Sequence, residues 1–325
     1  MTLIERINSF INEVASDIKS LYANKVNKTD VIAVAQGGTG ATDAETARAN
    51  LDVLSSNDVL DYILGYNYVS LNYIINKLFN NSEQGVVFDF NDLSTMFQDA
   101  AGTIPVTGVG QPVGKVLDKS GRGNHATQTT SAKRPILQKN ATTGAYYLQF
   151  DGVDDFLVTN SIDLSVINKI SMFSCIKKVT DVDALIFETS ANFNSNGANG
   201  AVSHSQTASK SIGFAARTNA YATVDCVDEP APQQAVYSSV IDLALTSRQG
   251  IYFRKNGMSQ TVTRYEQGDA TGNLGNYPLY IGMRGGASVP FSGQIYSMII
   301  ISRLTTDLEL KNTERAMAKS IGVAL

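Results

Sequence analysis

The chain has no tryptophan, two cysteines and two histidines in 325 residues. Each scarcity removes a class of explanation. Cys175 and Cys226 are too few and too far apart for a disulfide framework or a metal-ligand spacing, and read as ordinary core or strand residues. His125 and His204 have no nearby acid and nucleophile in a triad arrangement, so neither reads as catalytic. No stretch reaches the roughly 18 apolar residues of a membrane span, so membrane insertion is not expected. Glu5 and Arg6 interrupt the apolar run that a secretory signal needs, and export by that route is not expected either. A basic excess is also missing: 26 Lys and Arg face 30 Asp and Glu, for a net charge of −4, which argues against nucleic acid as a partner.

Hydrophobic residues make up 43% of the chain and charged ones only 17%, enough to bury a sizeable core. The clearest periodicity lies in residues 1–30. Ile4, Ile7, Ile11, Val14, Ile18 and Leu21 alternate by three and four, which keeps one seam toward a partner helix. Isoleucine at every a position, with Ile, Val and Leu at d, disfavours two strands and points to a trimer. The competing reading is an amphipathic helix lying on its own domain, although such helices usually show a wider apolar face. A second segment, residues 57–82, repeats the spacing with Leu60, Leu64, Leu71, Ile74 and Leu78, and places Asn67 on the same seam. Gly65 weakens that helix by about 1 kcal/mol relative to alanine, so association would have to hold it.

Two glycine-rich runs imitate nucleotide sites and fail. Gly38 and Gly40 lack the third glycine of a dinucleotide fingerprint, since Asp43 stands there. Gly114-Lys115 is followed by Val116, where a phosphate loop needs Ser or Thr. No cofactor is expected.

Within residues 31–56, the run from Gln36 to Leu51, with Gly37-Gly38-Thr39-Gly40-Ala41 followed by Ala47-Arg48-Ala49-Asn50-Leu51, resembles the collar repeat of tailed-bacteriophage tail fibres. The resemblance implies a link between a trimeric stalk and the next module, and a homotrimer in the virion, assembled in the host cytoplasm beside other tail or baseplate proteins.

Residues 83–325 read as short strands punctuated by Gly, Asn, Asp and Ser, with no strand-helix-strand alternation. Candidate strands are 86–90, 146–150, 170–176, 184–188, 211–216, 235–243, 250–254, 260–263, 278–283 and 294–302. Asn256-Gly257 marks a tight hairpin because both turn positions need positive φ. The expected fold class is mainly β, an antiparallel sandwich of two sheets preceded by an α-helical coiled-coil stalk. Thr306 and Glu309 stand in capping-box spacing before a helix to Ile321 that should close the sandwich. The order of motifs from Phe88-Asp-Phe-Asn-Asp, through Leu117-Asp-Lys-Ser-Gly-Arg-Gly-Asn-His and Phe150-Asp-Gly-Val-Asp-Asp-Phe, to Phe291-Ser-Gly-Gln-Ile resembles concanavalin-A-like, laminin-G-like jelly-roll modules. That resemblance implies a lectin-like sandwich, and for Ser120 to His125 a structural turn packed against it.

Chemistry-bearing candidates are sparse. Asp151, Asp154 and Asp155 could pair for a metal or for glycoside hydrolysis, but Asp and Gly at these positions suit a polar turn, and no metal is expected. The Glu-x-Asp-x-x-Glu strand of glucanases of this superfamily does not occur, so an enzyme is disfavoured. Asn192, Asn194 and Asn196 imitate half a calcium loop without its charge; they suit sugar hydroxyls better, and a plain solvent loop is the competing reading. With no tryptophan, Tyr must supply any sugar platform, and Tyr221, Tyr265, Tyr277 and Arg284 are the loop-placed candidates. The expectation is multivalent, non-enzymatic attachment to a host cell-surface polysaccharide or lipopolysaccharide; a depolymerase and a purely structural spacer are the alternatives.

Overall fold

A computed structural model describes residues 9, 11–16, 70–190, 192–194, 198–207, 210–218, 221–226, 229–245, 251–267, 272–323 and 325. The chain divides into two units, Met1–Leu60 and Asp61–Leu325. In the first, residues 11–16 are helical, with Ile11 half-buried and Val14 exposed. The other seam positions Ile4, Ile7, Ile18, Leu21, Leu60, Leu64 and Asn67, and the collar-like run, lie outside the described residues. No described helix is long and apolar enough to cross a membrane.

The second unit is mainly β, with two described helices. It begins with α1 (Leu71–Leu78), followed by β1 (Gly85–Asp89), β2 (Met96–Phe97), β3 (Lys115–Val116), β4 (Ala126–Thr127), β5 (Ile136–Lys139), β6 (Tyr146–Asp151), β7 (Leu157–Asp163), β8 (Lys169–Lys178) and β9 (Ala184–Glu188). Then come β10 (Ala201–Ser205), β11 (Ile212–Arg217), β12 (Tyr221–Cys226), β13 (Gln233–Asp242), β14 (Ile251–Lys255), β15 (Met258–Ser259), β16 (Val262–Gln267), β17 (Asn276–Ile281), β18 (Ser292–Ile301) and α2 (Asp307–Ser320). One sheet runs β15-β14-β13-β8-β18-β6-β5, with β1 also paired to β18; the other runs β16-β12-β11-β10-β9-β17-β7-β4-β3-β2. Every pairing is antiparallel, and the two inner faces close over a core that includes Phe88, Phe150, Phe187, Phe214, Phe253 and Phe291. This is the antiparallel sandwich expected.

Strands β8 and β18 are buried on both faces, and their central runs Ile170-Ser-Met-Phe-Ser-Cys-Ile176 and Ile295-Tyr-Ser-Met-Ile-Ile-Ile301 admit only small serines among apolar and aromatic residues. Their inward face meets the other sheet, while α2 lies across β8 and β13 from outside. Cys175 sits buried beneath α2, its thiol 3.9 Å from the Met317 carbonyl, and burial pushes that thiol well up. Helix α2 starts at Thr306, whose hydroxyl accepts from the Glu309 N–H while Glu309 accepts from the Thr306 N–H, so the capping box is complete.

Helix α1 corrects part of the seam reading. Ile74 and Leu78 are buried within this chain, and α1 packs against α2. Leu71 is half-buried. The end of α1 is tied down by Arg303, which donates to the Leu78 carbonyl at 3.1 Å, a cation meeting the negative end of the helix. Ile74 and Leu78 therefore face the body of the same chain rather than a partner helix.

The Ser120–His125 segment is a turn knotted around Asp118. One carboxylate oxygen accepts from the Val87 and Ser120 N–H groups, and the other from the Ser120 hydroxyl and the Asn124 N–H. His125 Nδ1 accepts from the Asp118 N–H at 3.0 Å, so this histidine serves the turn.

Candidate functional site

The outward face of the ten-stranded sheet, where β9 lies between β10 and β17, carries the most developed polar arrangement. Strand β9 is irregular there. Its pairing with β10 shifts at Ser203/His204, so that Ile186 and Phe187 both enter the core while Leu185 and Glu188, three residues apart, both face out. Leu185, Val202 and Ala215 form a small outer apolar patch, covered by Phe193 and Val289 from two neighbouring loops. Glu188 stands at the rim of that patch, directly opposite Val202 on one side and Tyr280 on the other.

Glu188 is fully buried, and both of its carboxylate oxygens are engaged. It accepts from the Ser190 hydroxyl at 2.7 Å, from the Phe193 N–H at 2.5 Å and from Arg284 Nε at 2.7 Å. A buried carboxylate needs such donors to offset its lost hydration. The Phe193 carbonyl in turn accepts from Arg217 Nη1 at 2.8 Å. Two guanidinium groups, Arg284 and Arg217, thus flank one short segment, and half-buried Tyr280 shares their face of the sheet. Exposed Asn192 and Asn194 sit on either side of Phe193, with the Asn194 N–H donating to Asn192 Oδ1 at 3.1 Å.

Of the expected sugar contacts, the structure brings Arg284, Asn192 and Asn194 together around Glu188. Tyr277 lies apart, opposite Ile162 near the start of β17, with its ring over Gly275. Tyr221 and Tyr265 were expected on loops and are instead strand residues, Tyr221 opposite Arg217 in β12 and Tyr265 opposite Val224 in β16. Thr223 and Val224 in β12, and Val262 and Thr263 in β16, are the β-branched residues that favour strand at these positions. Their side chains, and Asn196 altogether, lie outside the described residues. Glu188, Tyr280 and Arg217 escaped sequence reading. Tyr280 alone left a signal there, as a polar-tipped aromatic alternating with Leu279 and Ile281.

The three carboxylates of the Asp151–Asp155 turn have oxygens within 4.8 Å of one another. Backbone donors occupy two of them. Asp151 accepts from the Val153 and Asp154 N–H groups, and Asp155 from the Asp151 N–H. Burial, then the charge of Asp151, pushes Asp155 up to about 6. This is how a compact polar turn behaves. A cleft of 490 Å³ between α1 and α2 is lined by Tyr73, Lys77, Asn80 and Asn312, but its guanidinium, Arg303, is spent on Glu83 and Glu309.

No family model and no curated protein sequence matches this chain. Among solved structures it is similar to the ligand-binding domain of botulinum neurotoxin serotype D in complex with N-acetylneuraminic acid, at 10% identity and a TM-score of 0.46, over 73% of this chain and 51% of that one. It is also similar to the binding domain of serotype G, at 9% identity and a TM-score of 0.46, over 73% and 50%. The chain spans about half the length of these structures. A likeness of this degree says nothing of ligands.

Proposed function

We propose that this chain is the receptor-binding protein of a phage tail fibre, which attaches by its sandwich to a host cell-surface glycan without cutting it. The collar-like run and the first heptad seam support the fibre reading; they imply a homotrimer carried in the virion beside other tail or baseplate proteins. The observation that carries the glycan reading is buried Glu188, which holds Arg284 through its carboxylate and stands directly opposite half-buried Tyr280 in β17. An aromatic face and fixed N–H donors are what a sugar ring and its oxygens require.

Non-enzymatic binding is favoured over depolymerisation by the state of Glu188. Glycoside hydrolysis needs two carboxylates flanking one bond. The acid at this face is buried and holds three donors, so it has no free oxygen to offer a leaving group. The test is incubation of the full chain with host polysaccharide, measuring retained polymer and new reducing ends. Retention with unchanged reducing ends is expected. New ends would establish a depolymerase, and no retention would leave a structural spacer.

A further inference from the structure

Arg284 is unusual in what it leaves unused. A guanidinium carries five N–H donors in a rigid planar fork. The Nε–H of Arg284 goes to Glu188, and among the described residues no acceptor engages the four N–H groups on Nη1 and Nη2. The side chain is only 17% exposed, so most of its ordering cost is already met by folding. Glu188 cannot swing to cover the rest of the fork, because Ser190 and Phe193 hold its other oxygen. The carboxylates of the Asp151–Asp155 turn bind their own backbone, although Gly286 of the Arg284 loop adjoins Phe156.

A neutral sugar hydroxyl can use one donor of such a fork, whereas a carboxylate or a phosphate matches it with two parallel hydrogen bonds. We infer that the outward fork of Arg284 binds an oxyanion, so that the glycan taken at this face is acidic, either carboxylated or phosphorylated. The inference rests on the glycan-binding reading and narrows it to a substrate class.

The experiment is a titration of the full chain against three polysaccharides: one containing hexuronate, one linked by phosphodiesters and one neutral. Binding to an acidic polymer is expected, with the hexuronate and phosphodiester arms separating the two sources. Arg284→Lys keeps a cation beside Glu188 but removes the fork, and it should weaken acidic-polymer binding about tenfold or more while the thermal midpoint is held. If that variant fails to fold, the wild-type chain supplies the reading, since raising salt to about 0.5 M should weaken its binding. Equal binding of the neutral polymer, unchanged affinity in a folded Arg284→Lys variant, or salt-insensitive binding would overturn the acidic-ligand inference and leave glycan attachment standing. Retention of none of the three would overturn both.

Discussion

Arg254 of β14 and Glu314 of α2 meet at 2.7 Å with 7% and 1% of their side chains exposed, pinning the C-terminal helix to the edge hairpin of the eight-stranded sheet. Glu314 also accepts from the Ser238 hydroxyl, and Arg254 reaches the Gly257 carbonyl. Removing Glu314 leaves the buried Arg254 charge with only the neutral Gly257 carbonyl and Tyr252 hydroxyl as acceptors. Glu314→Ala should therefore cost about 3–5 kcal/mol, read as a lower denaturant midpoint. The double variant Arg254→Met, Glu314→Leu should recover most of that loss, because it buries no charge at all. A double variant as unstable as the single one would show that helix packing, and not the charge, sets the cost.

Asp118 gathers four donors from three parts of the chain: Val87 in β1, Ser120 and Asn124. Asp118→Ala would strand those N–H groups in a buried turn, at a cost of about 2–4 kcal/mol. Hydrogen exchange should locate the damage, with the Val87 amide losing protection before those at the centre of β8. Uniform loss across both strands would mean that the turn has no separate stability.

The Asp155 carboxyl is raised from 3.8 to about 6, first by burial and then by the charge of Asp151. A raised carboxylate favours the folded state in its neutral form. Its contribution is full below about pH 4 and is lost as pH rises through about 6. With solvent screening at the turn, the expected size is about 1–2 kcal/mol. Asp155→Asn, neutral throughout, should match or exceed wild-type stability at pH 7 and remove this part of the slope between pH 4 and 6. A variant that keeps the wild-type slope would assign it to other carboxylates.

Features set by neighbouring residues were legible in the sequence. Asn256 and Gly257 take φ values of 46° and 76°, and the hairpin forms where the dipeptide stands. The Thr306–Glu309 capping box joins residues three positions apart and closes as written. Strands β2 to β5, β7, β10, β12 and β15 were not read; Ala201-Val-Ser-His-Ser and Leu157-Val-Thr-Asn-Ser are too polar to announce a strand, and β7 is held by a ladder to distant β17. The candidate site is hidden for the same reason. Glu188 and Arg284 lie 96 residues apart and meet only because β9 pairs with β17, a register that no local pattern encodes. Periodicity at Ile74 and Leu78 announced a buried face correctly but could not say that the chain itself would cover it.

Because α1 spends Ile74 and Leu78 on its own chain, the proposed trimer rests chiefly on the first seam, of which Ile11 and Val14 are described and Val14 is exposed. One chain weighs 34.9 kDa, and light scattering on the wild type should give three times that mass. Ile11→Asp, Val14→Asp would place charges on facing seam positions and should return the mass of one chain. Three linked heads hold a polymer through raised effective concentration, so the double variant should lose apparent affinity by about 100-fold or more for an immobilised glycan. Its affinity for a single soluble oligosaccharide should stay unchanged, since the face around Arg284 lies in the sandwich. A wild-type monomer would remove the avidity argument, and equal loss for the soluble sugar would mean that the seam and the sugar face are not independent.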